Sequence, residues 1–299
     1  IEGGSFDITT GGGSANASMK SDGTPNRNWQ NNMSNGGGGP NEMGRPDDNG
    51  NGTGGDPPAM PTADNTGLTI KTTANTTTDS DSTDTTDNTS TSAKALKAGN
   101  EVNISVGEFK IDSADDSVYS NGNIVITGGN ISVASGDNGM HADGNLTISD
   151  GTVDITKSYE GIEGSIVTID GGTISVVASD DGINCAGGSD TGSTDRMGAD
   201  QFSSQDGVEL NINGGTVTVD ADGDGLDSNG NFTMAGGTVC VCGPTNGGNG
   251  ALDYNGTANV TGGTLIACGA VGMEEGFSDT STQYSVLHDL GSTVSANEK

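Results

Sequence analysis

Apolar and polar residues alternate in pairs of short stretches that flank a glycine-rich turn, and this unit recurs along much of the chain. Ile124 and Ile126 precede the turn at Gly128-Gly129, and Ile131 and Val133 follow it. Period-two alternation is typical of half-buried strands, and β-branched side chains favour parallel, in-register stacking. The pattern therefore predicts an all-β chain.

The unit repeats with a period of about 22 residues. The equivalent positions Ile126, Ile148 and Ile169 are 22 and then 21 residues apart. Fixed-period repetition of a strand–turn–strand unit indicates a solenoid, in which each coil buries one narrow column of side chains. The next interval, to Ile212, is 43 residues, which predicts an inserted loop near residues 186–206.

Four regions follow from this pattern. Residues 1–12 resemble a partial coil, so we expect an N-terminal portion to precede them. Residues 13–92 are low-complexity sequence rich in Gly, Asn, Thr and Asp, which predicts an excursion or linker. Residues 93–290 are predicted to form the β-helix, and residues 291–299 a tail.

Composition and charge narrow the range of partners. Only 29% of the residues are hydrophobic and 3% aromatic, which suits a thin solenoid core better than a globular one. The formal net charge of −31 repels nucleic acid and anionic lipid, and no apolar stretch is long enough to span a membrane. We therefore expect no nucleic-acid binding and no membrane insertion, and favour divalent cations or neutral ligands.

Acidic residues at equivalent positions of successive coils predict a metal site. Coils lie about 4.8 Å apart, so these acids form ladders whose like charges cost stability unless they are neutralised. Ca²⁺ takes about six to eight oxygen ligands in flexible geometry, whereas the alternative is that the carboxylates cap turn amides without a metal. The predicted Ca²⁺ ligands are Asp115, Asp116, Asp137, Glu160, Glu163, Asp180, Asp181, Asp224 and Asp227.

Tyrosines are the candidate carbohydrate contacts, because sugar-binding sites commonly present aromatic faces. Tyr119 and Tyr159 lie beside acidic ladder positions, and Tyr254 follows Asp253 in a later coil. Packing within the turns is the alternative role for each ring.

Cysteine and histidine positions suggest little further chemistry. Cys242 and Cys268 occupy equivalent places in consecutive coils, with Cα atoms expected about 5 Å apart, inside the range for a disulfide. A Cys242–Cys268 bridge is therefore predicted, with two unpaired thiols as the alternative. His141 and His288 are far apart in register, which disfavours a triad or zinc site, and we expect both at the surface.

Five phrases of the repeat are distinctive. They are Lys157–Gly164, Ser179–Asn184, Gly223–Gly230, Gly243–Tyr254 and Gly272–Phe277. Together they resemble a bacterial family of secreted carbohydrate-binding-domain proteins, over a region from Lys94 to Leu290. The resemblance implies a right-handed parallel β-helix similar in fold to polysaccharide lyases, located outside the cell or on its surface. It also implies binding of Ca²⁺ and of plant-type polysaccharides such as cellulose and pectic chains, without catalysis as a family trait.

Three functions remain open at this point. The first is non-catalytic, extracellular polysaccharide binding assisted by Ca²⁺. The second is a calcium-dependent polysaccharide lyase, which would need a basic residue beside the metal; only Lys110, Lys157 and Arg196 fall in or beside the predicted stack. The third is a structural surface protein whose copies self-associate end to end.

Overall fold

The chain forms one parallel β-solenoid. The computed structural model describes residues 2–16, 93–186, 204–292 and 294. Its eighteen strands belong to a single sheet, with parallel pairing between successive coils. The helical structure in these residues is a short 3-10 turn at Ser14–Asn16, and no helix there is long and apolar enough to cross a membrane.

Each coil contributes strands to three faces. Face 1 contains β2 (Leu96–Ala98), β5 (Val118–Ser120), β10 (Ile183–Cys185), β13 (Leu226–Ser228) and β16 (Leu252–Tyr254). Face 2 contains β3 (Glu101–Ile104), β11 (Glu209–Ile212), β14 (Asn231–Met234) and β17 (Ala258–Val260). Face 3 contains β1 (Glu2–Thr10), β4 (Val106–Ser113), β9 (Thr173–Ala178), β12 (Thr216–Ala221), β15 (Thr238–Cys242) and β18 (Thr264–Cys268). Three longer strands continue around corners: β6 (Asn123–Ser135), β7 (Met140–Lys157) and β8 (Ile162–Ile169).

Aliphatic side chains stack in register along the interior. Ile126 pairs with Ile148, Ile148 with Ile169, and Ile169 with Ile212 across successive coils. All four are fully buried, and burial of each such side chain stabilises the fold by about 1.5–3 kcal/mol. The predicted all-β solenoid with a spacing of about 22 residues is confirmed.

Aromatic pairs lie near both ends of the solenoid. Strand β1 runs parallel to β4 and places Phe6 on Phe109, with ring centroids 4.7 Å apart. At the other end Phe277 packs on Phe232 at 6.2 Å. Most of the predicted low-complexity region, most of the predicted insertion with Arg196, and part of the predicted tail lie outside the described residues.

Glycines at the corner between faces 2 and 3 set how closely the coils approach. Gly151 and Gly172 occupy equivalent corners with φ of 101° and 86°, a region that side chains rarely adopt. A Cβ on Gly172 would lie 2.8 Å from the carbonyl oxygen of Gly151. Glycine is therefore required at this corner both by conformation and by space.

We expect Gly172→Ala to lower the free energy of unfolding by about 1–3 kcal/mol, because it combines backbone strain with a close approach to the preceding coil. Urea unfolding followed by circular dichroism measures the change. Gly99→Ala is the matched control, since its added Cβ meets no atom within 4 Å. Equal effects of the two substitutions would contradict the steric requirement.

Candidate functional site

The corner between faces 3 and 1 carries two ladders of polar side chains, and we call it the polar edge. In each coil the two ladder positions flank a buried apolar residue; Asp181 and Asn184, for example, lie on either side of Gly182 and Ile183. The first ladder runs through Lys94, Asp116, Asn138, Glu160, Asp181, Asp224 and Gly250. The second runs through Lys97, Tyr119, His141, Glu163, Asn184, Asp227 and Asp253.

The first of two acidic groups on the polar edge is the N-terminal cluster, formed by Asp115, Asp116 and Asp137. One carboxylate oxygen from each lies within 4.8 Å of the others. Lys94 Nζ donates a hydrogen bond to Asp115 Oδ1 at 3.1 Å and a closer one to Asp116 Oδ2. The chain therefore places its own cation on this cluster.

Charge–charge contacts keep Lys94 protonated. Burial alone would lower the pKa of this ammonium group, but the Asp116 and Asp115 carboxylates raise the pKa above its ordinary value. Asp116 is only 1% exposed, and burial raises the pKa of its carboxyl despite the opposing charge of Lys94. An ion pair of this kind is costly to break from one side, because the remaining partner is left buried and uncompensated.

His141 extends the N-terminal cluster into the next coil. Its Nδ1 lies 3.3 Å from Glu163 Oε2. Its Nε2 is 3.4 Å from Asp143 Oδ1, but this nitrogen is buried and forms no hydrogen bond. The expectation that His141 lies at the surface is wrong, because the side chain is buried against the edge of the Tyr119 ring at 5.2 Å. His288 is exposed, as expected.

The second group is the C-terminal cluster, formed by Asp181, Asp224 and Asp227. Their carboxylate oxygens also lie within 4.8 Å of one another. Asp181 Oδ1 accepts a hydrogen bond from the Asp224 amide at 2.7 Å, and Asp224 Oδ1 accepts one from the Gly250 amide at 2.5 Å. Among the described residues, no lysine or histidine forms an ion pair with these three carboxylates.

Burial and mutual repulsion favour protonation of the C-terminal cluster. Burial raises the pKa of Asp224 to about 6, with further contributions from Asp253, Asp180 and Glu275. Burial also raises the pKa of Asp181 and Asp227 well above their ordinary range, with neighbouring carboxylates adding to the effect. When all three carboxylates are ionised, the cluster therefore carries negative charge that no neighbouring cation of the described residues compensates.

Asn184 has a buried side-chain oxygen, Oδ1, without a hydrogen-bond partner. It lies in register between Glu163 and Asp227, is 9% exposed, and its Oδ1 is buried. An unsatisfied buried carbonyl oxygen ordinarily costs about 1–3 kcal/mol. Ionised carboxylates cannot donate a hydrogen bond to this oxygen, whereas a hard cation binds amide and carboxylate oxygens alike.

Six of the nine predicted metal ligands form these two clusters. The other three, Glu160, Glu163 and Asp180, lie beside them. Glu163 contacts His141, while Glu160 and Asp180 lie close enough to raise the pKa of Asp181. The role of Lys94 was missed by sequence reasoning, although it lies 22 residues before Asp116 and so continues the same ladder. Asp143 and Glu275 were not among the predicted ligands either; Asp143 lies beside His141, and Glu275 contributes to the raised pKa of Asp224.

The predicted carbohydrate tyrosines differ in accessibility. Tyr119 and Tyr159 are buried, at 7% and 5% exposed, so little of either ring is open to a saccharide. Tyr119 donates to Asp143 at 3.1 Å and lies under Lys94 Nζ, 4.3 Å from its ring centroid. Tyr254 is half-buried at the C-terminal end of the polar edge. Their contact with sugar stays a prediction.

Cys242 and Cys268 are Cα partners in register, and both carry free thiols in this structure. The predicted bridge between them stays a prediction.

Comparison with known proteins gives one family. A family model described as carbohydrate-binding domain-containing protein matches residues 1–139 and 140–250. The boundary between the two matches falls at the start of β7, on the polar edge. No curated protein and no solved structure matches the chain.

We expect Lys94→Met to lower the free energy of unfolding by about 3–5 kcal/mol, because it leaves the buried Asp116 carboxylate uncompensated. The double variant Lys94→Met/Asp116→Asn removes both charges and should recover much of the loss. Chemical unfolding of the wild type and the three variants, including Asp116→Asn, gives the coupling between the two residues. Additive effects would show that the pair does not act as a neutralised unit.

In metal-free protein the C-terminal cluster should make stability fall as pH rises. Groups with raised pKa hold protons in the folded state that the unfolded chain releases, so their contribution is present at low pH and is lost as pH rises through about 6. We therefore expect the melting temperature in chelator to fall between about pH 5 and pH 7. Asp224→Asn/Asp227→Asn should flatten this dependence, whereas Asp206→Asn, on an exposed turn, should preserve it. If all variants showed the same change of melting temperature with pH as the wild type, the cluster would be excluded as the source of that change.

Proposed function

This chain belongs to the carbohydrate-binding domain family, and from that premise we propose that it is a non-catalytic, extracellular protein that binds pectic and cellulosic polysaccharides with the help of Ca²⁺. The observation that carries the calcium part of the proposal is the C-terminal cluster, whose three carboxylates lie within 4.8 Å of one another without an ion-pair partner among the described residues. Asn184, in register with Asp227, supports it with a buried Oδ1 that has no hydrogen-bond partner. Membership of the carbohydrate-binding domain family supports the polysaccharide part of the proposal.

The donor set of the C-terminal cluster suits calcium. Asp181, Asp224 and Asp227 offer carboxylate oxygens, and Asn184 offers an amide oxygen from the coil between Glu163 and Asp227. Oxygen-only donors favour hard cations, and Ca²⁺ accepts irregular sets that also include backbone carbonyls and water, whereas Mg²⁺ requires a near-ideal octahedron. Bound calcium would neutralise the repulsion that raises the pKa values of this cluster.

The two acidic clusters differ in their need for a metal. The N-terminal cluster already has the Lys94 ammonium on two of its carboxylates. No equivalent side chain reaches the C-terminal cluster from the described part of the chain, where the first ladder continues from Asp224 to Gly250. We therefore place calcium at the C-terminal cluster first.

Calcium also explains how an acidic protein could hold an acidic polysaccharide. Pectic chains carry carboxylates, and a protein of net charge −31 repels them. A Ca²⁺ ion at the polar edge keeps coordination positions for sugar oxygens and so bridges two anionic partners. Neutral cellulosic chains are not repelled by the negative charge and need no such bridge. The half-buried Tyr254 ring at the same edge is their candidate contact.

The arrangement of basic groups supports binding rather than lyase chemistry. Eliminative cleavage of a uronate needs a neutral base beside the metal. Lys94 is bound to two carboxylates that raise its pKa, so it stays protonated. Lys157 donates a hydrogen bond to the Ser14 carbonyl oxygen at 2.6 Å and forms no ion pair with either acidic cluster.

The test is thermal unfolding in EGTA and after Ca²⁺ is restored, followed by binding to pectate and to cellulose. Calcium at about 100 times its dissociation constant should stabilise the protein by about 2.7 kcal/mol, and chelation should reverse this. Asp227→Asn should remove most of the calcium effect, while Asp206→Asn should keep it. Pectate binding should require calcium in the wild type and fail in Asp227→Asn.

The outcomes separate the two parts of the proposal. A calcium shift without retention on either polysaccharide would contradict the binding function and leave the metal site standing. Polysaccharide binding that is unchanged by EGTA and by Asp227→Asn would contradict the calcium role. Release of unsaturated uronate products, detected by ultraviolet absorbance, would favour the lyase.

A further inference from the structure

Large apolar side chains are exposed mainly at the C-terminal end of the solenoid. Ten large hydrophobic side chains of the described residues are exposed, and eight of them lie between residues 266 and 294. Such a concentration of exposed apolar surface in a mostly polar chain indicates a contact surface. We call this surface the apolar end; its residues are Ile266, Val271, Met273, Tyr284, Val286, Leu287, Leu290 and Val294.

Strand β18 is an open edge of face 3 at this end. One edge of β18 pairs with β15, and no strand of the described residues pairs with its other edge. Val239 and Val241 of β15 are buried. Their partners on β18 are Leu265, which is half-buried, and Ala267, which is exposed. The interior of face 3 is therefore uncovered at the last coil, and an unpaired strand edge is a template for another chain.

The other two faces are covered at the same end. On face 2, the Ser278 amide donates a hydrogen bond to the carbonyl oxygen of Ala258 on β17 at 2.8 Å. On face 1, the amide of Tyr254 on β16 donates to Glu275 Oε2 at 3.2 Å. The chain that follows β18 thus covers faces 1 and 2, and within the described residues face 3 is the one left open.

A segment of the apolar end lies across the last coil. Gln283 Nε2 donates a hydrogen bond to the carbonyl oxygen of the residue directly before β18, at 2.9 Å. A Cβ on Gly276 would lie 3.9 Å from Leu287 Cδ2, so the same segment also reaches the residues over face 1. Between these two contacts, Tyr284 is fully exposed and Val286 is 92% exposed. These two side chains therefore contribute almost nothing to the fold of a single copy.

Charge limits which partner fits the apolar end. The chain has a formal net charge of −31, yet residues 254–273 contain no charged side chain, and Asp289 is the one acid between residues 280 and 294. A second copy is repelled by most of this surface and can approach closely only where the charge is low. A basic partner would instead be attracted to the acidic polar edge. The low charge and the open β18 edge together favour a second copy of the chain.

We propose that the apolar end is the interface of a closed dimer, in which two copies of the chain are related by a two-fold axis. Such an axis places the two β18 edges side by side in antiparallel orientation, so that each supplies the hydrogen-bonding partner that the other lacks. The uncovered interiors at Leu265 and Ala267 then cover each other. The contact occupies both open edges, so assembly stops at two copies, unlike the end-to-end stacking expected from the sequence.

The test is sedimentation velocity of the full chain over a range of concentrations, in EGTA and a thiol reductant. EGTA excludes calcium bridges between acidic copies, and the reductant keeps the exposed cysteines from forming disulfides between copies. We expect a reversible monomer–dimer equilibrium without larger species. Added sodium chloride should strengthen the dimer, because salt screens the repulsion between two copies of like charge.

Variants locate the interface. Ile266→Asp places a charge on the exposed side of β18 and should leave only monomer at concentrations where the wild type is dimeric. Tyr284→Ser/Val286→Ser should weaken dimerisation by at least about tenfold, because the exposed apolar surface of these side chains is buried only against the partner. Val177→Asp is the matched control, since Val177 is 43% exposed on face 3 three coils before β18. It should dimerise as the wild type does.

Four results would overturn the proposal. They are a wild type that stays monomeric at every concentration, assemblies that keep growing with concentration, dimers that persist in both interface variants, and a dimer that salt weakens. A monomeric wild type that binds neutral phosphatidylcholine vesicles would assign the apolar end to a lipid surface instead. Thermal unfolding of each variant checks that the fold is intact. Calcium stabilisation and pectate binding are measured separately, so this inference and the proposed function can fail independently.

Discussion

Parallel stacking of the coils in register brings equivalent side chains within about 4.8 Å of one another, whatever their chemistry. Inside the solenoid this produces continuous aliphatic contacts such as the row from Ile126 through Ile148 to Ile169. At the polar edge the same spacing brings carboxylates together, where it is unfavourable without a counter-charge. The core and the candidate site are thus two consequences of a single backbone geometry.

The two acidic clusters differ in what opposes this repulsion between carboxylates. In its N-terminal part, Lys94 lies at the ladder position that precedes Asp116, and this covalently attached cation pairs with two of the three carboxylates. In its C-terminal part, Asp181, Asp224 and Asp227 have no such partner among the described residues, and Asn184 adds an unsatisfied oxygen. Because coils in a solenoid interact mainly with their nearest neighbours, the two solutions can coexist in one fold.

The sequence predicts the fold well because period and alternation are local properties. The inward residues Ile148 and Ile169, and the partnership of Cys242 with Cys268, follow from counting along the repeat. The site is predicted only in part, since a ladder position says which residues are neighbours but not which are buried or paired.

Particular residues illustrate that limit. His141 occupies an ordinary ladder position, yet it is buried because Asp143, Glu163 and Tyr119 surround its ring. The unsatisfied oxygen of Asn184 depends on the orientation of one amide, which no repeat encodes. Side-chain packing around the ladder, rather than its register, decides these cases.

Two corners of the solenoid, the glycine corner and the polar edge, differ in how many substitutions they tolerate. At the glycine corner the carbonyl of one coil occupies the space where the Cβ of the next would lie, so nearly every substitution is excluded. At the polar edge the ladder accepts Lys94, Asp116, Asn138, Glu160 and Gly250 in turn without a break in the backbone register. Ligand specificity at the polar edge can therefore change one coil at a time, while the glycine corner preserves the spacing that makes neighbouring coils cooperate.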